Sequence, residues 1–182
     1  MEFLIAGKTL ALAEGDITEF RADAIGNAAN EALVGGSGVN GAILAAGGPA
    51  LESALAALRD RVRRCPTGEA VITPAGALPA AWVLHCVGPV YETGKQGEAD
   101  LLAGCYRAAL RLAQEKGAKT VAMPSISTGV YGYPIEEAAE VSLRAVARTL
   151  ESERCTIERV TFVLFGQPAL ESFAAVARRL FA

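Results

Sequence analysis

Asn27-Ala28-Ala29-Asn30-Glu31-Ala32-Leu33-Val34-Gly35-Gly36-Ser37-Gly38-Val39-Asn40-Gly41 is the stretch that decides how this chain is read. It follows a short apolar run, Ala22-Asp23-Ala24-Ile25, that stops at Gly26, and it leads into Ala42-Ile43-Leu44-Ala45-Ala46, whose composition is helical. Glycine lets the backbone take positive φ and approach a ligand with no Cβ in the way. A helix start presents N–H groups that have no intrahelical partner, at the positive end of the helix dipole. A strand, a glycine-rich loop and a helix start, in that order, make an anion-binding site.

Ser125-Ile126-Ser127-Thr128-Gly129-Val130-Tyr131-Gly132-Tyr133 repeats the logic further along, between the apolar run Thr120-Val121-Ala122-Met123 and a helix opening at Pro134. Energetics favour two such loops over one. A charge-assisted hydrogen bond is worth roughly 1.5–3 kcal/mol net. Association costs about 4–15 kcal/mol. One loop barely breaks even, whereas two loops clamping one diphosphate bind well.

Outward from these loops, apolar runs alternate with helical patterns. Val83-Leu84-His85-Cys86-Val87 and Val160-Thr161-Phe162-Val163-Leu164-Phe165 read as buried strands beside Thr120–Met123. Leu51, Leu55, Leu58 and Val62 share a helical face after Pro49, a favourable first helical residue. Leu101, Cys105, Ala109 and Leu112 share another, which Gly117 is placed to close. Ile135, Ala139, Leu143, Val146 and Leu150 follow Pro134, and Leu170, Phe173, Ala174, Ala177 and Phe181 form a last helix. The pattern predicts an α/β fold with a mixed sheet covered on both faces, and a ligand crevice beyond the carboxyl ends of the strands.

Gly36-Ser37-Gly38-Val39-Asn40-Gly41 also spells GxGxxG. A dinucleotide-binding unit needs those glycines directly after a strand, then an acidic residue on the next strand about 20 residues on. Here roughly ten residues separate Ile25 from the glycines, and the region twenty residues on is the helix of Leu55 and Leu58, so that reading fails.

The whole chain, residues 1–182, reads as one domain: 52% of its residues are apolar and 20% charged, with no linker or repeat. A net charge of −3 gives no footprint for duplex nucleic acid. The run Arg59, Arg61, Arg63, Arg64 falls where a helix ends and complements its dipole. No apolar run reaches the roughly 18 residues of a membrane span, and Met1-Glu2-Phe3-Leu4 is unlike a secretion signal. Cys65, Cys86, Cys105 and Cys155 are too scattered for a metal site, so buried reduced thiols, a cytoplasmic location and no metal or cofactor are expected. His85, inside an apolar strand, reads as structural, and a monomer is the expected state.

Taken together, Gly15-Asp16-Ile17-Thr18, Asn27-Ala28-Ala29-Asn30, Gly35-Gly36-Ser37-Gly38-Val39, Cys65-Pro66-Thr67-Gly68-Glu69-Ala70, His85-Cys86-Val87-Gly88-Pro89 and Ile126-Ser127-Thr128-Gly129-Val130-Tyr131-Gly132-Tyr133-Pro134 resemble the macro domain family. Within it they are similar to the bacterial and mitochondrial type that removes ADP-ribose from proteins. The resemblance covers nearly the whole chain in order. It implies a three-layer α/β/α sandwich with ADP-ribose and mono-ADP-ribosylated proteins as partners. By the same resemblance Asp16 accepts from the adenine amino group, Ile17 approaches the adenine through its backbone, and Phe165 lies against the ring. Gly35, Gly36, Ser37, Gly38 and Val39 hold phosphate with Ser127, Thr128, Gly129 and Val130. Tyr131 packs over the distal ribose, and Asn30 orients its hydroxyls.

One position departs from the pattern. Where the hydrolase branch carries an aspartate that helps activate water, this chain has Asn40, which cannot accept a proton at neutral pH. Two readings stay open. In one the chain still hydrolyses ADP-ribosyl esters, including O-acetyl-ADP-ribose, with the ligand's own phosphate positioning the water and Asn30 and Asn40 as the catalytic side chains. In the other it is a reader that binds ADP-ribose without turnover.

Overall fold

Five of the seven strands run in one direction and end at a single edge of the sheet. The computed structural model describes all 182 residues. In chain order the elements are β1 (Glu2–Ile5), β2 (Lys8–Glu14), a single 3-10 turn (Ile17–Glu19), β3 (Ala24–Ala28), α1 (Gly38–Val62), β4 (Ala70–Pro74), β5 (Trp82–Cys86), α2 (Glu98–Glu115), β6 (Thr120–Met123), α3 (Ile135–Glu151), β7 (Arg159–Leu164) and α4 (Gln167–Phe181). The sheet order is β1-β2-β7-β6-β3-β5-β4. The two edge strands, β1 and β4, are antiparallel to their neighbours, which makes the sheet mixed.

Period-two alternation sorts the strand residues between two cores. Leu84, Cys86, Val121, Met123, Val160 and Phe162 face the larger core under α2, α3 and α4. Ile25, Val83, Ala122 and Val163 face a smaller core under Ile43 and Leu51 of α1. The result is the mixed sheet covered on both faces that the pattern predicts, and the three-layer α/β/α sandwich that the resemblance implies.

Two boundaries and one helix face differ from the sequence reading. β3 does not stop at Gly26 but runs on to Ala28. Gly26 is there because a Cβ would press on Met123 and Pro124, and the strand continues through Asn27 because its side chain is hydrogen-bonded inside. α1 begins at Gly38 rather than near Ala42, and Gly48 (φ +68°) with Pro49 kinks it, so the second segment does start at the proline. In α2 the buried stripe is Leu102, Cys105, Tyr106, Ala109, Leu110 and Ala113, whereas Leu101 is exposed. The face is turned by one residue because the large Tyr106 ring packs on Phe162. Gly117 (φ +75°) does follow the helix end.

By length and composition α1 would suit a bilayer, contrary to the expectation that no segment does. Here Ile43, Leu51, Leu55 and Leu58 pack it onto the rest of the chain, and the kink breaks it in the middle.

Candidate functional site

The C-terminal edge of the parallel strands carries a cleft of about 320 Å³. The loop after β3 supplies Asn30 and the segment from Gly36 to Asn40, which includes the first turn of α1. Opposite, the loop after β6 supplies Ser127, Gly129, Val130 and Tyr131. The two glycine-rich stretches are thus the two walls. Ala28, Ala29, Gly88, Ser125 and Ile126 line the cleft as well, and sequence reasoning gave them no role. Gly35 and Thr128 flank it without lining it, and Asp16, Ile17 and Phe165 lie outside it.

The last three still stand at the same edge of the sheet. Gly15 N–H donates to Leu164 O, so the ends of β2 and β7 lie side by side, with Asp16 after one and Phe165 after the other. Phe165 is 83% exposed, so its ring is free at that edge. The Ile17 side chain is core, buried with Ile25 and Ile43, leaving only its backbone for a ligand.

The α1 start is the stronger anion site of the two walls. Ser37 stands at the N-cap without a side-chain cap bond, and the first turn holds no acidic residue. The first N–H groups therefore keep their donors, and the dipole is not neutralised. The first turn of α3, behind the opposite wall, carries Glu136 and Glu137, which offset its dipole.

The first wall is fixed by side-chain amides. Asn30 Nδ2 donates to Val34 O at 2.9 Å, and its Oδ1 accepts from Val34 N at 3.1 Å. Asn40 Nδ2 donates to the same carbonyl at 2.9 Å. Asn40 Oδ1 accepts from Asn27 Nδ2 at 2.9 Å, and Asn27 Nδ2 also lies 3.2 Å from His85 Nδ1. His85 Nε2 is 2.8 Å from Thr73 Oγ1. The histidine is fully buried, and burial pulls it down to about 4, so it is neutral at physiological pH.

Distant residues brace both walls. Arg59 does more than complement a helix end: its Nη1 donates to Leu33 O at 2.8 Å, while Glu52 holds Nη2. Arg64 pairs with Glu31, whose carboxylate also accepts from Thr67 N and Oγ1. The base of the second loop hangs on Tyr106, whose hydroxyl donates to Pro124 O at 2.7 Å and accepts from Ile126 N at 3.0 Å. Its tip is held by Tyr91 N–H donating to Tyr131 O. The segment carrying Tyr91 is in turn tied down by Glu98, whose buried carboxylate accepts from the backbone N–H groups of Glu92, Thr93, Gly94 and Gln96.

Ser127 is the strained point. It holds φ +68°, its Oγ is buried with no protein partner, and Gly88 sits so close that a Cβ there would collide with that oxygen. A buried hydroxyl without a protein partner, in a non-glycine residue at positive φ, is local strain held in the cleft wall. No three His, Cys, Asp or Glu side chains converge anywhere to hold a metal ion, and all four cysteines are buried.

Known proteins place this geometry. The family model described as "Macro domain" matches residues 26–142. An O-acetyl-ADP-ribose deacetylase of Klebsiella pneumoniae is 49% identical over 168 residues, covering 92% of this chain and 93% of its own. Among solved structures, the Oceanobacillus iheyensis macrodomain with ADP superposes with a TM-score of 0.94 at 39% identity, covering 99% of this chain and 95% of that one. The Trypanosoma brucei macrodomain in complex with ADP-ribose gives a TM-score of 0.82 at 37% identity, covering 91% of this chain and 68% of that one.

Proposed function

The chain belongs to the macro domain family, and from that premise we propose that it binds ADP-ribose in the cleft and hydrolyses esters at the distal ribose, on acidic residues of proteins or as O-acetyl-ADP-ribose. The observation that carries this is the uncapped, acid-free first turn of α1 facing the second loop across one cleft. A diphosphate fits between them because both walls offer backbone donors. The adenosine then extends along the sheet edge towards Asp16 and Phe165, and the distal ribose reaches Asn30, Asn40 and Tyr131. The two complexed macrodomains above support the ligand class.

In the reaction on a protein carboxylate ester, a water oxygen bonds to the anomeric carbon as that carbon's bond to the carboxylate oxygen breaks. The leaving carboxylate carries the electron pair, and the water's proton passes to solvent. Asn30 and Asn40 orient the ribose and the water. A ligand phosphate oxygen polarises the water in place of a protein carboxylate. A positioned general base contributes about 10²–10⁴-fold, so turnover is slower than with an aspartate at this position.

Asn40 supports a second reading. Both ends of its amide are hydrogen-bonded within the protein, so it serves the shape of the loop at least as directly as any chemistry. On that reading the chain holds ADP-ribose without turnover. A turnover assay on mono-ADP-ribosylated protein, run beside ADP-ribose calorimetry, separates the two. Binding with release of free ADP-ribose selects the hydrolase, binding without release selects the reader, and absence of binding overturns both.

A further inference from the structure

Four buried polar side chains run in a line from the cleft wall into the sheet: Asn40, Asn27, His85 and Thr73. Only Asn40 touches the cleft. The directions of these bonds are not independent. Val34 O is an acceptor only, so the atom of Asn40 facing it must be Nδ2 and the other must be Oδ1. Asn40 Oδ1 in turn requires a donor from Asn27, which fixes Nδ2 on that side. An amide nitrogen has two hydrogens, and the second points at His85 Nδ1. Nδ1 must therefore be the unprotonated ring nitrogen, and Nε2 carries the hydrogen and donates it to Thr73 Oγ1. Asn27 Oδ1 is left buried with no partner, which is the cost of this arrangement.

We infer that His85 is a positioning residue: as the Nε2–H tautomer it accepts the second Asn27 amide hydrogen at Nδ1, holds the Asn27 amide in one orientation, and so reinforces through Asn27 the Asn40 orientation that the Val34 carbonyl requires. The opposite tautomer would set Nδ1–H against Asn27 Nδ2–H. Turning Asn27 over would relieve that clash and satisfy its orphan oxygen. It would also place Asn27 Oδ1 against Asn40 Oδ1, and turning Asn40 over in response would set its oxygen against Val34 O. The relay thus has one self-consistent setting, required at one end by the Val34 carbonyl and locked at the other by a histidine one strand away from the cleft wall. The effect on ligand affinity rests on the proposed ADP-ribose site, whereas the relay itself does not.

The test exploits the presence of a single histidine. In uniformly ¹⁵N-labelled protein the histidine should show Nε2 protonated, Nδ1 bare, and a through-hydrogen-bond coupling between Nδ1 and Asn27 Nδ2. Two variants then separate positioning from bulk packing. His85→Asn places an amide oxygen near the Nδ1 position and can accept from Asn27. His85→Gln reaches towards Thr73 and leaves Asn27 without that acceptor. The Asn40 side-chain amide signals should stay near their wild-type shifts in His85→Asn and move, with faster hydrogen exchange, in His85→Gln. ADP-ribose affinity should fall no more than threefold in the first and about tenfold or more in the second. A protonated Nδ1 in wild type, or equal displacement of the Asn40 signals in both variants, overturns the inference. Should wild type itself not bind ADP-ribose, the functional reading fails, and the relay is judged by the tautomer and the Asn40 signals alone.

Discussion

Asn30 and Asn40 donate to the same carbonyl oxygen, that of Val34, each at 2.9 Å. One acceptor shared by two amides closes the first loop on itself and draws the start of α1 against it. Replacing Asn40 by the aspartate typical of the hydrolase branch therefore has two opposed effects. Asn40→Asp removes a donor and sets a carboxylate beside Val34 O, but it also adds a proton acceptor where the distal ribose is proposed to lie. The expected outcome is a split: single-turnover hydrolysis of ADP-ribosyl-glutamate rises, while ADP-ribose affinity falls several-fold, as the loss of a hydrogen bond worth about 1 kcal/mol implies. Rate and affinity both unchanged would remove the account of this position.

Asp16 has one oxygen engaged and one to spare. Its Oδ1 accepts from Thr18 N at 2.9 Å and from Thr18 Oγ1 at 2.7 Å, capping the 3-10 turn, while Oδ2 makes no bond within the protein. Asp16→Ala should lower stability by about 0.5–2 kcal/mol through the lost cap and weaken ADP-ribose binding. Asp16→Asn keeps the cap and should lose chiefly the preference for adenine over hypoxanthine in the ligand. Calorimetry with both nucleotides checks this, and an undiminished adenine preference in the asparagine variant refutes the assignment.

Gly88 is the residue on which Ser127 leans. A methyl group there meets Ser127 Oγ and Ile126 Cγ2. Gly88→Ala should cost about 1–3 kcal/mol by overpacking. Because Ser127 lines the cleft, ligand affinity should fall with it. Urea unfolding and calorimetry read the two effects, and a variant as stable as wild type would mean that Ser127 relaxes freely.

Glu98 gives a pH signature. Burial alone would raise its carboxyl, but the N–H groups of Gly94, Gln96 and Glu92 outweigh this and hold it at about 2. A lowered folded value means that the stability from this group is complete above its unfolded value near 4.5 and is lost as pH falls towards 2. Glu98→Gln should be less stable at pH 7 and show a flatter decline between those limits. Urea midpoints at a series of pH values test it. Parallel curves for the two proteins would show that the carboxylate contributes nothing specific.

The parts of this molecule legible in the sequence are those written locally. The unbroken apolar run Val160–Leu164 gives a strand buried on both faces, and the spacing of Ile135, Ala139 and Leu143 gives a helix, because each kind of burial leaves its own pattern in the chain. The glycine loops are legible for the same reason: loop and helix start are contiguous. Asn27 and Gly26 read as loop residues because their type favours turns, whereas pairing with Leu84 and His85 of β5, the packing of Gly26 against Met123 and the amide relay keep them in β3. The braces are invisible beforehand. Arg59 reaches Leu33 across 26 residues, and Tyr106 reaches Ile126 across 20. Nothing in an arginine near a helix end or a tyrosine inside a helix announces such a partner.

Five parallel strands ending at one edge also make the cleft a gauge of length. From the end of β2, where Asp16 stands, the edge crosses β7 and β6 before reaching the end of β3 and Asn30. Three inter-strand steps of about 4.8 Å come to roughly 14 Å. In the proposed binding mode a nucleoside monophosphate engages one end of that span and ribose 5-phosphate the other, and a base joined through two phosphates to a second sugar reaches both, so the sheet itself counts the links of the chain it accepts.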